Sequence, residues 1–98
     1  MQDRVLGMLG LAQRAGRLVS GEEMTINAVK DGSAMLVIVA DDASENTKKL
    51  FTDKCGFYEV PLILYGTKDT LGRAIGKIER SSLALNDKGF AEVVKKLL

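Results

Sequence analysis

The sequence feature that most constrains the fold is "AMLVIVA", residues 34–40, the longest apolar run in the chain. The run is far shorter than the ~20 apolar residues that a membrane-spanning helix needs, so no membrane partner is expected. Its Val, Ile and Leu residues favour a strand, bounded by the turn-forming pairs Gly32-Ser33 and Asp41-Asp42. Because apolar residues occupy every position, the strand is expected to be covered on both faces.

The two segments before this strand have helical spacing. Residues 3–16 are predicted to form a first helix that ends at Gly16. Its apolar residues fall on two adjacent stripes, one of Val5, Leu9 and Ala12 and the other of Met8, Leu11 and Ala15. The short segment "RLVSG" that follows is β-prone. Ser20 or Gly21 then caps a second helix that ends at Gly32, and its predicted inward pairs are Met24 with Ala28 and Thr25 with Val29.

Helical and strand-like segments continue to alternate after the central strand. A capping box from Asp42 to Glu45 predicts a third helix that ends at Gly56 and buries Leu50, Phe51 and Cys55. "VPLILY" at 60–65 reads as a second buried strand, Thr67 caps a short helix over 68–76, and "SSLAL" at 81–85 is a last strand. Asn86 or Asp87 caps a terminal helix whose apolar positions are Phe90, Val93, Val94 and Leu97.

This order of elements predicts an α/β fold, a three-layer α/β/α sandwich with a small mixed sheet of about four strands. Helices on both faces are required because the central strand has no polar face. The 98 residues contain no linker, repeat or low-complexity segment, so a single domain over residues 1–98 is expected.

Composition excludes several classes of function. Fourteen basic and thirteen acidic residues give a formal charge of +1, so no strong overall field marks a nucleic-acid binder, although a local basic patch remains open. The chain has one cysteine, Cys55, and no histidine, so a disulfide, a Cys-His nucleophile and a zinc site are not expected. No cofactor or metal is predicted, and the lack of a signal-peptide pattern favours a cytoplasmic location.

Enzymatic and nucleotide-binding motifs are weak. Asp41 and Asp42 are adjacent carboxylates, but neighbouring residues after a strand diverge, and Asp42 has a structural use as a helix cap. No phosphate-binding glycine motif occurs, so no small-molecule substrate is expected. The residues Gly7-Met8-Leu9-Gly10 match the GXXG sequence pattern of KH domains. They lie inside a predicted amphipathic helix, however, and the two middle residues are apolar. The sequence therefore predicts that the chain is not an enzyme.

Groups of basic residues, together with two helix starts, carry the functional signal. The basic residues form groups at the end of the first helix, on the second helix and around the fourth, although any one of them can equally be a solvated surface residue. Gly21 and Glu22 at one helix start, and Gly66, Thr67 and Lys68 at another, supply backbone N–H groups that suit phosphate or base-edge contacts.

Three segments in order resemble the kink-turn RNA-binding ribosomal protein superfamily typified by the archaeal protein L7Ae, and in particular its small bacterial ribosome-associated members. These segments are "AGRLVSGEEMTINAVKDG", "AMLVIVADDAS" and "VPLILYGTKDTLGRAIG", and the similarity runs along nearly the whole chain. The resemblance implies the α/β/α fold and a structured RNA partner, with ribosomal RNA and the ribosome as the expected setting.

The resemblance also implies which residues contact RNA. The start of the second helix would enter the widened major groove of a kink-turn and read its G·A pairs, while the loop before the fourth helix would pack on an unstacked base and basic side chains would neutralise phosphates. By position, the RNA-binding residues would be Arg14, Arg17, Gly21, Glu22, Glu23, Met24, Asn27, Lys30, Gly66, Thr67, Lys68, Asp69, Leu71 and Arg73.

The second helix departs from the superfamily's usual pattern. Where strong kink-turn binders have Gly-x-Asn-Glu and a lysine one turn later, this chain keeps Gly21 but has Glu23, Met24 and Asn27. A glutamate can accept hydrogen bonds from a guanine edge, whereas Met24 offers no donor, and the loss of a lysine at 27 weakens phosphate attraction. Glutamates in a first helical turn also have a structural explanation, because they favourably meet the helix dipole. A protein-interaction module on the same fold therefore remains an alternative.

Overall fold

The computed structural model describes residues 3–98, which form five helices and four strands. In chain order they are α1 (Arg4–Arg14), β1 (Leu18–Ser20), α2 (Glu22–Lys30), β2 (Leu36–Val39), α3 (Glu45–Tyr58), β3 (Leu62–Leu64), α4 (Lys68–Ala74), β4 (Ser82–Leu85) and α5 (Lys88–Leu97).

The strands form one mixed sheet in the order β1-β4-β2-β3. The strand β2 pairs antiparallel with β4 and parallel with β3, and β1 pairs antiparallel with β4. Helices α1, α4 and α5 pack together on one face, and α2 packs with α3 on the other. The predicted three-layer α/β/α sandwich with a small mixed sheet is confirmed.

The central strand is buried on both faces, as its unbroken apolar run predicts. Every residue from Leu36 to Ala40 is inaccessible to solvent. The largest buried side chain is Phe51 of α3, and Leu9 of α1 is fully buried on the opposite layer. Because each fully buried residue of this size contributes about 1.5–3 kcal/mol through the hydrophobic effect, β2 and its two helical covers form the stabilising centre of the fold.

Helix starts follow the capping rules with one correction. Thr67 and Asp87 cap α4 and α5 as predicted, with their side chains accepting from the N–H groups of Thr70 and Phe90 at 3.1 and 3.3 Å. The predicted capping box from Asp42 to Glu45 is wrong. Ser44 caps α3 instead, accepting from the N–H of Thr47 at 3.1 Å. The Asp42 carboxylate is engaged elsewhere, because its Oδ1 accepts from the N–H of Lys68 at 2.8 Å.

Two further expectations, one about α3 and one about α2, are corrected. The third helix does not end at Gly56 but continues to Tyr58, where Glu59 adopts the left-handed conformation (φ 58°) that terminates it. Met24 does not face inward: it is 55% exposed, and the buried face of α2 is made of Thr25, Ala28 and Val29.

Some apolar positions predicted to be buried are on the surface. Leu11 and Val93 are 45% and 40% exposed, and Ala15 is also exposed. These residues lie at the edges of the apolar faces of α1 and α5. Helical periodicity therefore predicts the position of each apolar face correctly but predicts a wider buried face than the structure has.

Candidate nucleic-acid interface

The two predicted RNA-binding segments start at the same end of the sheet, which is called the site end below. Ser20, at the carboxyl end of β1, pairs with Leu83, and Val39, at the carboxyl end of β2, pairs with both Ser82 and Leu64. The residues that follow β1, β2 and β3 therefore emerge beside the residues that precede β4. This juxtaposition brings the start of α2 and the start of α4 to one surface.

The start of α2 is fixed by Gly21. Its backbone has φ 93° and ψ 156°, a conformation that residues with a Cβ rarely adopt, and its N–H donates to the carbonyl of Ser82 at 3.0 Å. No side chain caps α2, so the N–H groups of its first turn have no partner within the helix. Glu22, Glu23 and Met24 are all exposed there, as is Asn27 one turn later.

The loop before α4 is held in place by several hydrogen bonds. The carbonyl of Gly66 accepts from the N–H of Asp41 at 2.8 Å, and Lys68 is tied to Asp42. Thr67 and Thr70 form a reciprocal capping box, each backbone N–H donating to the other's hydroxyl. Leu71 is completely buried, so it supports this loop from beneath and, contrary to expectation, presents no surface to a base.

Arg80 is a site residue that the sequence did not reveal. Its backbone N–H donates to the carbonyl of Lys68 at 3.1 Å, and its Nε donates to the hydroxyl of Ser20 at 3.1 Å. It therefore joins the residue before Gly21 to the first residue of α4. In the sequence Arg80 is a lone arginine after Gly76 in "GKIERS", which is a weak indication of a site residue. Its contact with Ser20, 60 positions earlier in the chain, depends on the sheet topology.

The loop between α4 and β4 carries an exposed apolar side chain. Ile78 is 86% exposed and lies between the basic residues Lys77 and Arg80. The loop presses so closely on α4 that a Cβ at Gly72 would collide with the Ile78 carbonyl. Gly76 and Lys77 donate to carbonyls of Arg73 and Gly72 near the end of α4, and the loop reaches the start of α4 at Arg80.

The predicted basic residues do not all surround this surface. Arg17 precedes β1, and its carbonyl accepts from Asn86 beyond the other end of β4, so Arg17 and Gly21 are separated by about 13 Å of extended chain. Lys30 ends α2 about 12 Å from its start. Arg14 lies beside residues 74–76 at the end of α4. Lys68 is at the site end, and Arg73, one turn further along α4, forms an exposed ion pair with Asp69 at 3.2 Å.

The start of α1 is also anchored at the site end. The Tyr65 hydroxyl donates to the Asp3 carboxylate, which also accepts from the N–H of Leu6 at 3.0 Å. These hydrogen bonds lower the pKa of Asp3 below its ordinary value, and the bond to Asp3 raises the pKa of Tyr65. Because Tyr65 directly precedes Gly66, the contact ties α1 to the loop that leads into α4.

Residues 3–98 provide no metal-binding cluster of three or more histidine, cysteine or acidic side chains. Cys55 is buried, and burial raises its pKa to about 11, so the thiol stays protonated near neutral pH. Within the same residues, no helix has the length and apolar content to cross a membrane.

The comparisons with known proteins agree with this architecture. The chain is 45% identical over 91 residues to the RNA-binding protein YlxQ of Bacillus subtilis, covering 93% of this chain and 91% of that protein. It is 41% identical over 97 residues to RNA-binding protein YlxQ of Enterococcus faecium, covering 99% and 93%. It is 28% identical over 96 residues to the large ribosomal subunit protein eL30 of Tetrahymena thermophila, covering 96% and 92%.

Solved structures share the fold. A protein of unknown function from Bacillus halodurans superposes with a TM-score of 0.94 at 44% identity, covering 98% of this chain and 97% of the other. The Giardia lamblia 15.5kD RNA binding protein superposes with a TM-score of 0.81 at 21% identity, covering 99% and 87%, which shows the fold alone. The model of the ribosomal protein L7Ae/L30e/S12e/Gadd45 family matches residues 3–95. The chain therefore belongs to this family, which is not a family of enzymes, as the sequence predicted.

Proposed function

We propose that this protein binds structured RNA through the site end of its sheet, and that its target is a kink-turn or a kink-turn-like element of ribosomal RNA. The observation that carries the proposal is the juxtaposition of two helix starts, Gly21 of α2 and Lys68 of α4, joined through Arg80. The names of the YlxQ relatives support RNA as the ligand, and the similarity to eL30 supports the ribosomal setting.

In this proposal α2 reads the RNA through its first turn. The exposed Glu23 carboxylate accepts hydrogen bonds from the N1 and N2 groups of a guanine, as carboxylates do at donor edges. Met24, which is 55% exposed, packs against a base or sugar and adds no sequence preference of its own. Recognition of G therefore depends on the carboxylates, while Met24 supplies contact area.

In this proposal the start of α4 contacts the RNA backbone, and the loop between α4 and β4 contacts an unstacked base. Lys68 supplies a positive charge for a phosphate, and the first N–H groups of α2 favour the same kind of ligand. Ile78 offers an exposed apolar surface for a base that has left the stack. Thr67 and Thr70 are already held by reciprocal hydrogen bonds before binding, so little ordering entropy is expected to oppose the contact.

A comparison of two lysines tests which surface the RNA occupies. Lys68→Ala is expected to weaken binding to a kink-turn RNA and to lower the slope of log K against log salt by about one phosphate contact. Lys30→Ala is the matched control: it removes the same charge at the far end of α2 and is expected to leave both quantities unchanged. Equal losses for the two variants would contradict the proposed surface.

Glu23→Ala tests base recognition separately from charge. Removing a carboxylate lessens electrostatic repulsion toward RNA, so non-specific binding should be equal or slightly tighter. Preference for an intact kink-turn over the same duplex with its G·A pairs replaced should fall, because the guanine edge loses its acceptor. Unchanged preference would assign recognition to other residues.

The protein-interaction module predicted as the alternative is favoured by one observation, the exposed Met24 beside two glutamates at the site end. Acidic and apolar side chains together are unusual for a phosphate-binding surface. Failure of the unmodified protein to bind any kink-turn RNA at low salt, with the fold intact, would favour this alternative.

A further inference from the structure

The outer face of α3 carries a groove that the proposed RNA contacts do not use. Its volume is about 370 Å³, and it is lined by Leu50, Asp53, Lys54, Phe57 and Tyr58. The first four of these residues recur at intervals of three or four positions, so they lie along one face of the helix. The buried residues of α3, Phe51 and Cys55, lie on a different face. The groove therefore belongs to the side of α3 that the sheet does not cover.

Both ends of this face are apolar. Phe57 is 79% exposed, more than any other aromatic side chain in the described part of the chain. Its ring packs edge-to-face on the ring of Tyr58, with the centroids 4.9 Å apart, which holds the two aromatic side chains in place. Leu50 lies two turns earlier on the same face and is half-buried. Burial of Phe57 against another molecule would remove a large apolar area from water.

The centre of the face carries two adjacent charges of opposite sign. Asp53 and Lys54 lie between Leu50 and Phe57 in the sequence. Among the described residues, Lys54 has no acidic partner within 4.0 Å, and Asp53 contacts only Lys49, at 4.0 Å and in an exposed position. An exposed ion pair of this kind contributes little to stability. Both central charges are therefore available to another molecule.

We infer that α3 pairs with α3 of a second copy of this protein, antiparallel about a two-fold axis that passes between Asp53 and Lys54. In such a symmetric contact, every pair of facing residues occurs twice, with the two copies exchanged. Asp53 then faces Lys54 of the second copy, and Leu50 faces Phe57 of the second copy. The order Leu, Asp, Lys, Phe is thus complementary to its own reverse, because apolar meets apolar and acid meets base. This complementarity identifies a second copy as the occupant of the face.

The proposed dimer is weak. Helix α3 has 14 residues and is about 21 Å long. A standard interface buries about 800 Å² on each partner, and one helix face of this length buries less. We therefore expect a Kd on the order of 100 µM. The formal charge of +1 adds almost no repulsion between two copies.

The proposed dimer leaves both site ends free. Helix α3 follows the carboxyl end of β2 and leads into β3, which is parallel to β2, so the helix runs away from the site end. Two α3 helices that pair antiparallel therefore point their site ends in opposite directions. Each copy keeps its own RNA surface, so dimer formation and RNA binding are expected to be independent.

The direct test is sedimentation equilibrium of the full-length protein from about 10 µM to about 1 mM, a range that brackets the expected Kd. The unmodified protein is expected to show a monomer–dimer equilibrium, and the backbone NMR signals of residues 50–58 are expected to shift as its concentration rises. Phe57→Glu should weaken dimerisation by about tenfold or more, whereas Leu11→Glu, at a 45% exposed position on α1, should not change it. An unmodified protein that stays monomeric throughout, or equal dimerisation of Phe57→Glu, would overturn the inference.

Exchange of the two central charges tests the antiparallel register. Asp53→Lys makes the centre of the face wholly basic, and Lys54→Asp makes it wholly acidic, so each variant alone should dimerise about threefold or more weakly than the unmodified protein. An equimolar mixture of the two variants should recover association, because every acid then faces a base. The double variant D53K/K54D restores the same complementarity within one chain and should also dimerise. A mixture that associates no better than its separate components would overturn the inference.

RNA is the competing occupant, because an exposed aromatic ring beside a lysine also suits a stacked base. If single-stranded poly-uridylate shifts the signals of residues 50–58 at concentrations where the protein is monomeric, the face is a nucleic-acid surface and the inference fails. The kink-turn affinity of Phe57→Glu is expected to equal that of the unmodified protein, because α3 pairing and the site end use different surfaces. The inference therefore stands or falls independently of the proposed RNA binding.

Discussion

At the scale of single residues, Arg80 explains how two distant segments of sequence hold one surface together. Its Nε bond to Ser20 and its backbone bond to Lys68 fix the starts of α2 and α4 relative to each other. A lysine at this position would keep the charge but lose the planar guanidinium that reaches Ser20 while also donating to the Glu79 carbonyl.

Arg80→Lys is therefore expected to weaken RNA binding by roughly threefold to tenfold, which corresponds to about 1 kcal/mol for one lost hydrogen bond. Fluorescence titration with a labelled kink-turn RNA measures the change. Arg14→Lys, far from the site end, is the control and should bind like the unmodified protein. Retention of full affinity in Arg80→Lys would mean that Arg80 contributes charge alone.

The contact between Asp3 and Tyr65 makes the stability of the fold depend on pH. The folded-state pKa of Asp3 lies below 3.8, so its contribution is present above that pH and is lost as pH falls through the folded value. The folded-state pKa of Tyr65 lies above 10.0. The contribution of the same hydrogen bond is therefore also lost in alkaline solution, as pH rises through the folded-state pKa of Tyr65.

Tyr65→Phe should accordingly lower the melting temperature at neutral pH by a few degrees. The difference from the unmodified protein should shrink as the pH is lowered past the folded-state pKa of Asp3. Thermal denaturation followed by circular dichroism from neutral into acid solution checks this. A difference that stays constant with pH would show that the Tyr65 hydroxyl stabilises the fold through something other than the Asp3 carboxylate.

At the scale of secondary-structure elements, glycines decide how closely α1, α4 and the loop after α4 approach one another. The absent Cβ of Gly72 makes room for the Ile78 carbonyl, and that of Gly10 makes room for the Ala74 carbonyl. These are contacts between backbones, which cannot move aside as a flexible side chain could.

Gly72→Ala is expected to destabilise the protein by about 1–3 kcal/mol and to displace the loop that carries Ile78 and Arg80. Gly7→Ala is the matched control, because its Cβ meets nothing and a helical alanine gains about 0.5–1 kcal/mol over glycine. Urea denaturation of both variants tests the pair. Equal effects would contradict the packing described for α4.

Sequence periodicity and capping chemistry predicted most elements because these depend on neighbouring residues. The cap of α3 was misplaced from Ser44 to Asp42 because Asp42 is used by Lys68, a tertiary contact 26 residues away. Glycine chemistry predicts that α3 ends at Gly56, but Gly56 has no positive φ, and the left-handed residue that terminates the helix after Tyr58 is Glu59, a residue type that seldom adopts this conformation. Local rules failed where tertiary contacts or unusual backbone geometry decided the outcome.

At the scale of the whole molecule, the order of the strands determines which candidate residues share a surface. The start of α2 and the loop before α4 could be paired from the family resemblance, and the sheet places both at the site end. The position of Lys30 follows from the length of α2, whereas the positions of Arg17 away from the site end and of Arg80 at the site end follow from the pairing of β1 with β4. Which end of the sheet a basic residue before or after a strand occupies depends on the strand topology, and spacing in the sequence does not contain that information.

RNA recognition at the site end is tested most directly by a salt titration of binding to a standard kink-turn RNA beside the same duplex with its G·A pairs replaced. We expect tighter binding to the intact kink-turn at every salt concentration, with affinity for both RNAs falling as salt rises. Equal binding to the two RNAs would contradict recognition of the G·A pairs by α2, and no binding to either at low salt would contradict RNA binding at the site end.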